Sequence, residues 1–404
     1  MIIDRPSYLE KLKRVKDKDI IKVITGVRLS GKSVLLFDIF GRYLKESGIP
    51  DDHIIMVNLE NEENKTLRDS ADLHKYIDAA RPDKKRCYVI IDEIQYVNGF
   101  EDLLNSLKNH NCDVYITGSN SEMLSGDIST ALRGRSIEIK VFPLSFAEYF
   151  AFIGGDKRAA WNDYVKYGGF PYVATEEDEQ GKTEYLQMLE STIATKDIID
   201  RYHLRNPAVF NAVYDLLCST IGSLVSAKKI SDTLKSNGFK SITPDTIGNY
   251  LTYLCESFLF YKAYRYDIKG KEYLKTLNKY YISDMGLRNA HINYRQVEVT
   301  HALENIIYLE LLRRGYSVDI GKNRGKEIDF VARNSKDTYY IQVAYSMTDS
   351  DKREQEISSF YKIDDGYKKI VITMDDDPFV LMENGYRKLY ALDYLLNDSA
   401  LEEV

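Results

Sequence analysis

"KVITGVRLSGKSVLL", residues 22–36, decides the reading of this chain. The run "DIIKVIT" (Asp19 to Thr25) has the character of a buried parallel strand. "GKSVLLFDIFGRYL" (Gly31 to Leu44) has helical spacing, with Val34, Leu35, Phe37, Ile39, Phe40 and Leu44 on one face. Between them stands G-x-x-x-x-G-K-S, the phosphate-binding loop pattern. Gly26 and Gly31 let the backbone curl, so that N–H groups of Val27, Arg28, Leu29, Ser30 and the residues that follow, to Val34, turn inward on a phosphate chain. The helix N-terminus adds partial positive charge. Lys32 is placed to reach the β- and γ-phosphates of ATP, and Ser33 to ligate Mg²⁺.

Such a loop requires an acid at the tip of a second buried strand to hold the metal. "CYVIIDEIQ" (Cys87 to Gln95) supplies it: Asp92 would bind Mg²⁺ through water, and Glu93 would polarise the water that attacks the γ-phosphate. "CDVYITGSN" (Cys112 to Asn120) is a third strand with a polar tip, where Asn120 or Ser119 would sense the γ-phosphate; the amide favours Asn120. "ALRGRSIEIKVFPLSFAEYF" then places Arg133 and Arg135 before a strand from Ile137 to Phe142. Either arginine could stabilise charge on the γ-phosphate of a neighbouring subunit, which would make the protein a homo-oligomer, or could be an ordinary surface residue.

The bulk numbers set limits. A chain of 404 residues is too long for one core and suggests two to four domains. Its 44% hydrophobic and 29% charged content is that of a soluble globular protein. No apolar run is long enough to cross a bilayer, and "MIIDRPSYLEKLKR" lacks a signal-peptide core, so a cytoplasmic protein with no membrane partner is expected. Cys87, Cys112, Cys218 and Cys255 are scattered, which argues against a disulfide framework or zinc site. With a net charge of −7, any DNA contact must come from a local basic surface.

With these motifs assembled, the first half resembles an AAA-type P-loop ATPase. The whole chain is similar to a large prokaryotic family that joins such an ATPase to a C-terminal domain of unknown function. The likeness is carried by "VITGVRLSGKS", "VIIDEIQ", "YITGSNSEML", "LRGRSIEIKVFPLSFAEY", "YGGFPYV", "TIATKDII", "KYYISDMGLRNA" and "LENIIYLELLRRGYSV…GKEIDFVA", from about residue 1 to 380. Leu29 departs from relatives, which often carry arginine there. The resemblance implies a five-stranded parallel core over residues 1–144 with helices on both faces, followed by a helical lid over 145–205. "GGFPYV" (Gly168 to Val173) is a breaker inside that lid, near the nucleotide in this reading.

The middle, residues 206–285, reads as a winged helix. "SAKKISDTLKSNG" is amphipathic, and "TPDTIGNYLTYLCESFLF" opens with Thr243 as N-cap and Pro244 at the first helical position. Ile247, Tyr250, Leu251, Leu254 and Phe258 make the apolar face of this second helix. "YKAYRYDIKGKEYLKTLNKYYISD" alternates like a hairpin turning at Gly270. On double-stranded DNA, Asp245, Thr246 and Asn249 would lie at the start of the recognition helix, while Lys262, Arg265, Lys269, Lys271 and Lys275 would meet phosphates. A module that packs on a partner protein is the alternative.

Residues 286–404 resemble the PD-(D/E)xK nuclease fold, an α/β restriction-nuclease-like arrangement. Glu304 on a helix and Asp329 on a strand match two of its four site positions. The third element, "QVA", puts Gln342 where an acid belongs and Ala344 where a lysine belongs, so Mg²⁺ would be held weakly and water left unactivated. Only a migrated lysine such as Lys326 or Lys352 would rescue hydrolysis. The expectation is an α/β ATP-binding, Mg²⁺-dependent ATPase that couples its ATP/ADP state to DNA or a partner protein. The alternatives are a signalling scaffold without DNA contact and an ATP-regulated nuclease.

Overall fold

A computed structural model describes residues 2–403 apart from 122–131, 133, 240, 296–297, 377–379 and 382–384. Arg133, one of the two candidate arginines, lies outside the described residues. The chain divides into two compact units, one of Met1–Pro143 with Glu256–Phe258, the other of Leu144–Cys255 with Leu259–Val404.

In the first unit, β1 (Ile21–Thr25), β2 (Ile54–Asn58), β3 (Cys87–Asp92), β4 (Cys112–Gly118) and β5 (Ser136–Lys140) form one sheet in the order β2-β3-β4-β1-β5. Every pairing is parallel. β1, β3 and β4 are buried on both faces, as continuous runs such as "YVII" require. Helices cover both faces. Tyr8, Leu12 and Val15 of the Pro6–Val15 helix join Leu35, Leu36, Ile39 and Phe40 on one side. Leu73 and Ile77 with Leu103, Leu104 and Leu107 pack on the other. The helix that follows the phosphate-binding loop departs from regular 3.6 spacing: Lys32–Val34 is α-helical, Leu35–Phe40 runs as a π-helical stretch, and Gly41–Glu46 returns to α.

The second unit opens with helices at Phe146–Ile153, Lys157–Tyr167, Pro171–Thr175 and Glu179–Thr192. Helices at Pro207–Ser219, Ala227–Ser236 and Pro244–Glu256 follow. Thr243 caps the last of these by accepting from Thr246 N (3.2 Å). Ile247, Tyr250, Leu251 and Leu254 are buried. Next comes a hairpin of β6 (Phe260–Asp267) and β7 (Glu272–Ile282). A bridge from Val225 to Asn278 fastens β7 to the segment before the Ala227–Ser236 helix.

That hairpin is not set apart. It joins β8 (Ser317–Asn323), β9 (Lys326–Arg333), β10 (Thr338–Ala344), β11 (Lys368–Thr373), β12 (Val380–Leu381) and β13 (Arg387–Tyr390) in one sheet of eight strands, ordered β12-β13-β11-β10-β9-β8-β6-β7. β6 pairs in parallel with β8 through Arg265, Tyr266 and Asp267. No break in the sheet falls at the expected boundary between residues 285 and 286. β6 has backbone hydrogen-bonding groups on both edges, and β8 takes up the edge that a free wing would leave open.

The motifs "YGGFPYV" and "ISDMGL" are two halves of one joint. Asp284 caps the Met285–His291 helix by accepting from Gly286 N (2.8 Å) and Leu287 N (3.3 Å), and it accepts from Gly169 N at 2.7 Å. A Cβ at Gly168 would sit 1.9 Å from Asp284 Oδ1, and one at Gly286 2.1 Å from the Tyr167 carbonyl oxygen. Side chains larger than hydrogen cannot occupy these positions without moving the joint. Among the described residues no helix is long and apolar enough to cross a membrane.

Candidate nucleotide site

Parallel pairing brings the tips of β1, β3 and β4 to one edge of the first unit's sheet. Ligands of open parallel sheets bind at that edge. The loop between β1 and the helix at residues 32–46 holds left-handed backbone at Gly31 (φ 94°) and Leu29 (φ 59°). At Gly26 (φ 149°) an added Cβ would lie 2.0 Å from the Val141 carbonyl oxygen, so the loop's close seat against the chain after β5 requires glycine. Leu29 is half exposed and contributes its backbone to the loop rather than its side chain to the core. The Lys32 ammonium is buried and donates to the carbonyls of Gly26 (2.9 Å) and Val27 (3.0 Å). Ser30 is buried, with its hydroxyl unpartnered. Arg28 reaches Glu60 at 3.4 Å.

Ser33 Oγ donates to Asp92 Oδ2 at 2.8 Å, so the two expected metal ligands face each other. Thr117, on β4, donates to the other Asp92 oxygen at 2.5 Å. Burial pushes the Asp92 carboxyl above its ordinary pKa, against the Thr117 and Ser33 hydroxyls, which favour the ionised form. The Lys32 charge also favours the ionised carboxylate, and Ser33 and Asp92 together present oxygens of the kind a divalent cation takes.

Glu93 follows in left-handed backbone (φ 57°), with its N–H donated to Thr117 Oγ1 at 2.8 Å. Its carboxylate accepts from the Gln95 amide and from Ser119 Oγ at 3.4 Å. Ser119 and Asn120 are both buried. Lys32, Ser33, Asp92, Glu93 and Ser119 are thus gathered around the strand tips.

Arg135 lies elsewhere. It immediately precedes Ser136, which pairs with Ile21 at the opposite end of β1 from the loop. Four residue steps along β1 separate Ile21 from Thr25, on the order of 13 Å. The guanidinium is exposed and meets Asn105 Oδ1 at 3.3 Å. It does not reach the phosphate-binding loop of its own chain.

Several supporting residues carry no motif. Thr117 is the hinge of the site, bonded to Asp92 and to the Glu93 backbone. Arg5 is 3% exposed and donates to the carbonyls of Ser30 (3.2 Å) and Phe142 (2.9 Å), bracing the loop from the N-terminus. The signal for Thr117 was available: a hydroxyl one turn of the strand before Ser119, on a strand flanking the Asp92 strand. Arg5 had none, because its partners are backbone atoms 25 and 137 residues away.

In the second unit, Glu304 and Asp329 do converge. Glu304 Oε1 accepts from Lys279 Nζ (2.9 Å) and Tyr281 OH (2.6 Å). Asp329 Oδ2 accepts from Val343 N at 2.8 Å. Gln342 is bonded to Glu356 (2.8 Å), and Ala344 is buried and apolar at the end of β10. Lys326 and Lys352 are exposed, and the lysine among the acids is Lys279. Of the expected DNA contacts, Lys269 and Lys271 are exposed at the hairpin turn, Asn249 is exposed, and Thr246 and Lys262 are half-buried. Arg265 is also half-buried, with its Nε enclosed and unpartnered.

The parallel order with its phosphate-binding loop and strand-tip acid is that of an AAA-type P-loop protein, and residues 18–150 match the family model described as an AAA domain. Residues 158–298 and 299–392 match two models, each described as a domain of unknown function. The chain is 40% identical over 402 residues to an uncharacterized protein of Haemophilus influenzae, covering 98% of this chain and 99% of that one, and it belongs to the same family. An uncharacterized protein of Methanocaldococcus jannaschii is 29% identical, over 94% of this chain and 89% of that one. Among solved structures, Cdc6p from Pyrobaculum aerophilum aligns at 11% identity and a TM-score of 0.33, over 76% of this chain and 96% of that one. The Aeropyrum pernix ORC1 protein in complex with DNA aligns at 14% identity and 0.27, over 72% and 93%. At these scores neither likeness carries an argument about this chain.

Proposed function

We propose that this protein binds and hydrolyses ATP with Mg²⁺ and uses its nucleotide state to control engagement of DNA by the helix–turn–helix and hairpin of its second unit. The observation that carries the enzymatic part is the Ser33–Asp92–Thr117 chain, with Glu93 fixed beside it. The residues fit a phosphate chain and its metal: a cradle that a Cβ at Gly26 would fill, an orphaned Ser30 hydroxyl, and a buried acid that faces the Ser33 hydroxyl.

In this reading Lys32 leaves the carbonyls of Gly26 and Val27 and pairs with the β- and γ-phosphates. Ser33 and Asp92 hold Mg²⁺, which when bound neutralises charge on the phosphate oxygens. Glu93 exchanges the Gln95 amide for the attacking water and takes its proton. Asn120, with Ser119, orients the γ-phosphate. Arg135 lies at the far end of its own β1, so if it acts on a γ-phosphate it does so on the nucleotide of a second copy, and the working form is then a homo-oligomer.

DNA contact would come from Asn249 and Thr246 at the Pro244–Glu256 helix and from Lys262, Lys269 and Lys271 on the hairpin, with Arg265 a lesser contributor because it is half enclosed. Steady-state ATP turnover, with and without duplex DNA, tests both parts. Glu93→Gln should lower turnover by on the order of 10²–10⁴-fold while nucleotide binding persists. Turnover unchanged in Glu93→Gln would remove the assignment. DNA should raise the wild-type rate, and a rate indifferent to DNA would transfer the second unit to a partner protein.

A further inference from the structure

A restriction-nuclease-like site would hold a divalent cation between Glu304 and Asp329, and the residues present do not fit one. The space holds a cation that belongs to the chain. We infer that the Lys279 ammonium stands permanently in the metal's place, closing the acid cluster into a charge-paired joint between the hairpin and the rest of the sheet, so that the cluster takes no divalent cation and cleaves no nucleic acid.

Lys279 is 3% exposed. Its Nζ lies 2.9 Å from Glu304 Oε1, 2.7 Å from Glu327 Oε1 and 3.9 Å from Asp329 Oδ1. Glu304 and Glu327 lie within hydrogen-bond reach of the ammonium, and Asp329 stands at ion-pair distance beyond them. Two of the acid oxygens take further donors. Glu304 Oε1 also takes the Tyr281 hydroxyl, and Asp329 Oδ2 is bound to Val343 N. Gln342, which stands where a metal-binding acid would, donates to Glu356, and its Oε1 accepts from Ser359 Oγ and Asp329 N, both at 3.4 Å. A magnesium ion demands near-octahedral oxygen ligands at about 2.0–2.1 Å, and the tethered ammonium occupies the centre they would share.

Lys279 also cannot serve as the missing catalytic lysine. That role needs an ammonium directed at water, and this one spends its donors on carboxylates. Expelling it would leave Glu304 buried without the cation it is hydrogen-bonded to, a cost that keeps the lysine in place. The arrangement ties β7 to the Val299–Arg313 helix through Glu304 and to β9 through Glu327 and Asp329.

The experiment is Mn²⁺ titration of the full chain without nucleotide, followed by electron paramagnetic resonance of the free ion. Each variant is paired with its Glu304→Gln counterpart, so that only uptake at this cluster counts. Wild type should show no Glu304-dependent uptake. Lys279→Ala should gain one Mn²⁺ that disappears in Lys279→Ala/Glu304→Gln. Glu304-dependent uptake by wild type overturns the inference, and so does a folded Lys279→Ala that takes none. If Lys279→Ala does not fold alone, Mn²⁺ should restore its folding, and Lys279→Met/Glu304→Gln should be more stable than Lys279→Met. Failure of both rescues sinks the idea. Nicking of supercoiled plasmid by wild type with Mg²⁺ or Mn²⁺, lost in Asp329→Ala, would do the same. These readouts do not depend on ATP turnover and so stand apart from the ATPase reading.

Discussion

Lys32 and Lys279 are both buried lysines, and they are built for opposite ends. Lys32 donates to two neutral carbonyls of its own loop, and the Asp92 carboxyl feels its charge without a hydrogen bond between them among those described. Lys279 lies against three acids drawn from a helix and a strand. Charge-assisted hydrogen bonds are roughly twice as strong as neutral ones, so the first lysine can be drawn away by an incoming phosphate while the second cannot. Burial alone does not separate a binding lysine from a structural one. The charge of its resting partners does.

The comparison breaks most readily at Lys279. Replacing it with alanine strands buried carboxylates, and chemical denaturation should register a loss of about 3–5 kcal/mol for the second unit. ATP affinity, measured below the unfolding transition, should stay at the wild-type value. A loss under about 1 kcal/mol would mean that the acids are not paired as the distances indicate. Lys32→Ala should do the reverse. Turnover should fall on the order of 10²–10³-fold, as expected for removal of one donor aimed at developing charge, while stability changes by about 1 kcal/mol. A Lys32→Ala protein that keeps wild-type turnover would place the phosphates elsewhere.

The same pair explains what the sequence could and could not disclose. The parts of the candidate nucleotide site are short motifs, each with its own strand, so spacing alone points to Lys32, Ser33, Asp92 and Glu93, which the fold brings together, and the parallel sheet follows from buried strands alternating with helices. The acid cluster needs residues 25 to 50 positions apart from three elements, and the alternation of one of them points equally to a DNA-binding wing. A trace was present: in the alternation of "LNKYYI", Lys279 shares a face with Tyr281, which is fully buried. A lysine on the inward face of a strand demands acids across from it. The join of "GGFPYV" to "SDMGL" was equally out of reach, because glycines 115 residues from their aspartate give no local signal.

That joint supplies a third case, an acid buried with no cation bonded to it. Burial pushes the Asp284 carboxyl up to about 6, although three backbone N–H groups favour its ionised form. The folded state therefore binds this proton more tightly than the unfolded state does, so the contribution of Asp284 to stability falls as pH rises from about 4 to about 6 and is flat outside that window. The stability of wild type minus that of Asp284→Asn should drop by about 2–3 kcal/mol across the window. A difference that is flat, or that rises with pH, would show the carboxylate to be stabilised by its N–H donors after all.

The smallest effect tests lysines of a third kind, those left to solvent. Lys269 and Lys271 flank Gly270 at the turn between β6 and β7, where Gly270 N donates to Asp267 Oδ1 at 2.9 Å and Lys271 adopts left-handed backbone (φ 54°). Both side chains are exposed, so their removal leaves the fold unchanged to within about 0.5 kcal/mol. If they meet DNA, each neutralises a phosphate and releases its counterion. The slope of log affinity against log salt for a duplex should then lose about 0.9 per lysine in Lys269→Ala and Lys271→Ala. Lys279→Ala, tested under conditions where it folds, should leave that slope untouched, because its charge is already spent inside the sheet. A slope indifferent to Lys269 and Lys271 would turn the hairpin from a nucleic-acid contact into an edge of the sheet that serves packing alone.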